Sequence, residues 1–264
     1  MKRNIRNAFS TSPASRLPWN LRAAGAIATL LSILLLVAGC AHTDATVSKP
    51  AELSRAVSTP KRANFEGQPR SRDAQNVADW VMDSGDNHGM PFIIIDKTDA
   101  KVFVFDSGGY LLGEAPCLIG LEKGDVCQPG IGKKKLWQIT PKMRVTPAGR
   151  SVAELGPDLK GNIVLWVDYH GGVAMHWVVT NNPRERRLQR IASPDPLEHR
   201  ISYGCINIPD IFFDNVVEPA FSGTKGIAYV LPEVKSNKQV FKAYYRVDRQ
   251  TRTSDRPRQS PPGT

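Results

Sequence analysis

Short apolar runs with alternating character recur along the middle of the chain. Phe92-Ile93-Ile94-Ile95-Asp96 and Lys101-Val102-Phe103-Val104-Phe105-Asp106 are β-branched and aromatic, bounded by polar residues and glycine, as strands are. Lys97 to Ala100 is their hairpin turn. Runs at Tyr110 to Cys117, Leu136 to Thr140, Ile163 to Asp168, Val173 to Val179 and Gly226 to Leu231 keep the same spacing, so the fold is predicted to be mainly β with a few short helices. Tyr169-His170-Gly171-Gly172 supplies the glycines of a tight hairpin. Helical spacing is confined to two places. Ser71 caps a segment carrying Val77, Trp80 and Val81, and Pro209 precedes Ile211, Phe212, Val216 and Val217.

The ends read differently. Ala23 to Ala38 is apolar and preceded by Lys2, Arg3, Arg6, Arg16 and Arg22, which reads as a secretion signal, because the run is shorter than the roughly 20 residues of a spanning helix. An uncleaved anchor helix is the alternative. The run closes on Val37-Ala38-Gly39-Cys40, which resembles the bacterial lipoprotein box, with Cys40 as the lipidated residue. Ala41 after it favours sorting to the outer membrane. The expected organisation is a signal peptide (1–39), a polar tether (40–70), one folded domain (71–235) and a basic, unstructured tail (236–264).

The chain has 264 residues, 41% hydrophobic, and 35 Lys and Arg against 25 Asp and Glu, a net charge of +10. The basic residues are scattered and match no nucleic-acid motif, so an anionic wall or membrane surface suits the charge better than nucleic acid. No two His or Cys residues stand at metal-ligand spacing with an acidic partner, and neither metal nor cofactor is expected.

Export makes each of the four cysteines a candidate for disulfide formation. Cys117 and Cys127 flank a glycine-containing segment that can turn back, and they are predicted to pair. Cys205 is left over in Ser202-Tyr203-Gly204-Cys205-Ile206-Asn207. The glycine permits a sharp turn that presents the sulfur and lets N–H groups converge, while the helix predicted from Pro209 would favour a thiolate. His176, in an alternating strand, is the chosen base, with His170 as understudy.

These residues resemble the L,D-transpeptidase (YkuD) domain. The resemblance runs from about Pro91 to Leu231 and rests on Cys205 with Gly204, Ser202 and Asn207, on His176 upstream, and on Val145-Thr146-Pro147-Ala148-Gly149. It implies a β-sandwich-like catalytic domain whose cysteine attacks the bond between the L-centre of a diamino acid and the next D-alanine in a peptidoglycan stem peptide. Cys205 would be nucleophile, His176 the base, and the Gly204 and Cys205 N–H groups the oxyanion donors; Ser202 and Asn207 match supporting positions. Two departures stand out. Tyr203 replaces the family's usual His, for which His199 is a candidate stand-in, and residues 177 to 201 separate the motif pieces by roughly ten more than the pattern, a surface insertion of small entropic cost. That insertion carries Arg184, Arg186, Arg187, Arg190 and Arg200, expected beside the site and facing acidic substrate groups. Trp177 and Arg200 are further pocket candidates, whereas Trp137 and Trp166 read as core or rim packing.

Hydrolysis on the same scaffold, giving a carboxypeptidase or amidase, is one alternative. A catalytically silent, wall-binding lipoprotein is another.

Overall fold

The computed structural model describes residues 61–247. The signal peptide, Cys40 and its lipidation, most of the tether and residues 248–264 lie outside them.

The described residues form ten strands: β1 (Phe92–Asp96), β2 (Lys101–Phe105), β3 (Leu111–Pro116), β4 (Ile119–Gly120), β5 (Gly149–Pro157), β6 (Ile163–Asp168), β7 (Val173–Trp177), β8 (Arg200–Ser202), β9 (Ile206–Ile208) and β10 (Gly226–Val230). Eight make one sheet in the order β3-β2-β1-β10-β5-β6-β7-β9, and β4 pairs with β8. Within the large sheet β1–β10 and β7–β9 are parallel and the remaining neighbours antiparallel. The fold is mainly β with few short helices, as predicted.

The inner face buries Ile93, Ile95, Val104, Leu165, Val167, Met175, Ile206 and Ala228 in a single cluster. Helical turns α3 (Asp210–Phe212), a π-turn (Phe213–Val217) and α4 (Glu218–Phe221) close it with Phe213, Val217 and Phe221. Leu118, just past edge strand β3, exchanges two backbone hydrogen bonds with Asn207 of the opposite edge strand, at 2.8 and 2.9 Å. The sheet therefore curls until its two edges nearly meet.

The outer face is used unevenly. Over β1, β2 and β10 it is covered by α1 (Arg72–Ser84), whose Val77, Ala78, Trp80 and Val81 pack on Phe92, Ile94, Phe103, Phe105 and Tyr229. Those strands are buried on both sides, which is why they read as continuous apolar runs. Over β5, β6, β7 and β9 the outward positions include Glu154, Trp166, Ala174, His176 and Asn207, none of which belongs to a core cluster.

Several expectations change. Leu136 to Thr140 is not a strand: Leu136–Gln138 is a 3-10 turn with Leu136 and Trp137 exposed, the tryptophan by 80%. Nine-residue β5 was hidden because Arg150, Ser151, Glu154 and Gly156 dilute its apolar pattern. The packed body also exceeds 71–235 at both ends. Phe65 meets Phe103 and Phe105 edge-on at 5.2 and 4.9 Å, and Phe241 stacks on Trp80, just after a short α5 (Asn237–Val240).

Lys97, in the first hairpin turn, is buried rather than solvated. Its ammonium donates to Gly124 O (2.5 Å), Asp125 Oδ1 (2.8 Å) and Thr146 O (3.0 Å), with Glu233 Oε1 at 3.5 Å. Burial alone would raise the Asp125 carboxyl, but Lys97 and the N–H groups of Lys235 and Glu233 outweigh it and hold it at about 2. An unfolded aspartate titrates near 3.9, so Asp125 stabilises the fold above about pH 4 and loses that contribution as pH falls through about 2.

Two outcomes are expected in urea titrations. Phe65→Ala should cost about 3–5 kcal/mol, because a buried aromatic leaves a cavity. Asp125→Asn should lower stability at neutral pH and flatten its decline between about pH 4 and 2.

Candidate active site

Cys205 stands immediately before β9, which runs parallel to β7 in the register Met175↔Ile206 and His176↔Asn207. Alternation sends Met175, Ile206 and Ile208 into the core and leaves Ala174, His176, Cys205 and Asn207 on the outer face. The turn that presents the sulfur is tightly specified. Gly204 adopts φ 128°, and a Cβ there would lie 2.8 Å from Val145 O, so a side chain is excluded both by conformation and by space. Ser202 Oγ accepts from Gly204 N–H (3.0 Å) and donates to Cys205 O (2.6 Å). Thr146 Oγ1 accepts from Gly120 N–H (2.8 Å) and donates to Gly204 O (2.9 Å). The Thr-Pro-x-Gly segment thus clamps the turn, and Lys97 holds Thr146 from behind through its carbonyl.

Of the two expected oxyanion donors, Gly204 N–H is committed to Ser202, leaving the Cys205 N–H as the candidate. The expected helix dipole is also missing from the sulfur. β9 intervenes, and α3 has only three residues. Burial pushes the Cys205 thiol up, and the Ala174 N–H and Arg187 guanidinium offset this only in part. Burial likewise lowers the His176 imidazole; the Trp177 carbonyl opposes the shift and Arg187 adds to it. The resting pair is a thiol beside a neutral imidazole, not the thiolate expected from sequence.

The hydrogen bonds around His176 fix its tautomer. Nδ1 lies 2.7 Å from Trp177 O, an acceptor, so Nδ1 carries the proton. Arg187 Nη1 donates to Asn207 Oδ1 at 2.5 Å, which turns Asn207 Nδ2 toward His176 Nε2 at 3.3 Å. A donor facing Nε2 requires a free lone pair there, so both ends of the ring agree on a tautomer able to accept a proton. Arg187 begins α2 (Arg187–Ile191) of the basic insertion and is itself held by Glu185 Oε2 at 2.5 Å. The Cys205 thiol does not hydrogen-bond His176; its hydrogen-bond contact is Gly172 O at 4.0 Å.

Other sequence candidates go elsewhere. Tyr203 accepts from Arg144 Nη2 at 2.9 Å, and that guanidinium also covers its ring at 3.8 Å. His199 is buried between Cys117 O (3.1 Å) and Ser193 O (3.0 Å), anchoring the insertion rather than replacing an imidazole at 203. Arg200 pairs with Glu233. Trp177 packs edge-on against Phe213 at the margin of the core. His170 is exposed on the rim of a hollow of about 490 Å³ that includes Cys127, Lys133, Tyr169 and Gly172.

Cys117 and Cys127 are free, correcting the predicted disulfide. Cys117 points into the core after β3, whereas Cys127 Sγ lies 3.4 Å from Val145 O, on the side of the site. Arg187, Arg144 and Lys97 went unassigned as individual contributors. A run of arginines reads alike until its helix is placed.

No family model and no curated protein matches the chain. Among solved structures it is similar to the helical cell shape determining protein Pgp2 from Campylobacter jejuni, with a TM-score of 0.35 and 12% identity over 56% of this chain and 49% of that one. It is also similar to the catalytic domain of an L,D-transpeptidase from Enterococcus faecium, with a TM-score of 0.30 and 19% identity over 53% of this chain and 96% of that one. The chain thus spans about half the length of Pgp2.

Alkylation of Cys205 by iodoacetamide, followed by peptide mapping, should rise only above the ordinary thiol range near pH 8.5. Arg187→Gln should move that rise to still higher pH and disturb the His176 ring tautomer seen in nitrogen-15 NMR. An unmoved profile and tautomer would leave Arg187 a purely structural residue.

Proposed function

We propose that this protein is a cysteine acyltransferase of the L,D-transpeptidase kind, acting on peptidoglycan stem peptides outside the cytoplasm from a lipid anchor at Cys40. One observation carries the reading. Cys205 and His176 share the outer face of two adjacent parallel strands, with the imidazole held in its proton-accepting tautomer.

His176 Nε2 leaves its hydrogen bond with Asn207 Nδ2 and takes the Cys205 proton as the sulfur attacks the carbonyl of the bond between the L-centre and D-alanine. Because the resting thiol is protonated, this transfer accompanies attack. The Cys205 N–H faces the oxygen that becomes negative. Collapse breaks the C–N bond, and His176 returns its proton to the departing D-alanine amine. The amine of a second stem then attacks the thioester and yields its proton to His176; the C–S bond breaks, and His176 returns that proton to the Cys205 sulfur. Water in place of that amine gives the hydrolytic outcome.

The absence of a thiol–imidazole hydrogen bond favours a second reading, a binding module that retains the residues without turnover. Purified full-length chain incubated with tetrapeptide muropeptides separates these readings by mass spectrometry. Wild type is expected to give dimers or exchanged termini, Cys205→Ala none, and His176→Gln about 10²–10⁴-fold less. Shortened stems alone would indicate hydrolysis. Wall binding by wild type and Cys205→Ala alike, with no product from either, would establish the module instead.

A further inference from the structure

The sheet register lays out a row of outward side chains leading away from the nucleophile. Glu154 of β5 stands opposite Trp166 of β6, and Trp166 opposite Ala174 of β7. Met175↔Ile206 in turn sets Cys205 beside Ala174. With strands about 4.8 Å apart, Trp166 lies two strands, or about 10 Å, from Cys205 across the same face. The position between them carries only a methyl group.

Around Trp166 the face is hollowed into a cavity of about 620 Å³. The indole leans over Gly156, where a Cβ would come within 3.3 Å of Cδ1, so the glycine gives the ring room to lie against β5. Tyr169, 70% exposed, meets Trp166 at 5.2 Å and 72°, making an aromatic corner. Glu154 and Lys225, paired at 2.9 Å and both more than half exposed, form a polar margin with no net charge. Tyr169 and His170 also wall the smaller hollow that reaches Gly172, whose carbonyl contacts Cys205. The two hollows therefore meet along the hairpin between β6 and β7.

We propose that the cavity on β5 and β6 is a saccharide subsite, receiving the amino-sugar ring to which the stem peptide is attached. The proposal rests on the acyl-transfer reading above. An aromatic corner beside hydrogen-bonding side chains, Glu154, Asp168 and Lys225 among them, suits a ring with an apolar C–H face and hydroxyl and acetamido edges.

The test has a binding arm and a kinetic arm, both on the full-length chain. N-acetylglucosamine tetrasaccharide should shift the Trp166 indole N–H signal in NMR, and Trp166→Ala and Tyr169→Ala should each weaken its binding at least tenfold. In turnover, Tyr169→Ala should lower the ratio of kcat/KM for glycan-linked stems to that for free tetrapeptide at least tenfold. Tyr169 is exposed, so this variant keeps the test meaningful should Trp166→Ala unfold. No shift with the sugar, a shift with free tetrapeptide instead, or equal losses on both substrates would overturn the proposal. If wild type turned over neither substrate, the acyl-transfer reading would fail while the sugar titration still decided the subsite.

Discussion

A buried ammonium organises the end of the protein that carries Cys205. Lys97 leaves a hairpin turn at one end of the molecule and gathers the chain at Gly124, Asp125, Thr146 and Glu233, segments up to 136 residues apart (233 − 97). Its partners are themselves connected. Asp125 accepts from the N–H groups of Glu233, Val234 and Lys235, and Glu233 binds Arg200 and Gly124 N–H. Taking charge out of water is costly, and removing one partner from such a cluster typically costs 3–5 kcal/mol, because the others are left buried and unpaired. The cluster therefore fixes where these loops meet more than it adds net stability. Thr146 passes that constraint to the Gly204 turn, and the turn to the sulfur.

The chemistry at Cys205 is set by desolvation rather than by a strong local field. Burial disfavours both the thiolate and the imidazolium, so the two groups rest uncharged. Arg187 partly reverses this for sulfur and reinforces it for histidine, while its hydrogen bond through Asn207 keeps the ring receptive. Residues 177–201, which separate His176 from Cys205, thus supply Arg187 as a residue that orients the ring through Asn207.

Much of this was legible in the sequence. Apolar runs marked β1, β2, β6 and β7, and the Gly-Cys turn with its upstream His singled out Cys205 and His176, which the sheet brings onto one face. What was missed has specific causes. A lysine in a turn reads as solvated, so Lys97 could not be singled out. Sequence proximity says nothing about direction, and Cys117 faces the core while Cys127 faces the site. For the tryptophans a usable signal was present. If His176 points outward on a strand, Trp177 must point inward, and Trp166, paired with outward Ala174, must share the open face.

The near-closure of the sheet also limits how a peptide can approach. Many proteins hold an extended peptide by letting it join an exposed strand edge as one more strand. Here Leu118 already occupies the free edge of β9 at Asn207, two residues from Cys205. A chain reaching Cys205 cannot borrow that ladder. It must cross the strands, so its grip comes from side chains and hairpin carbonyls rather than from repetitive backbone pairing, and selection falls on the chemical character of each residue it lays down.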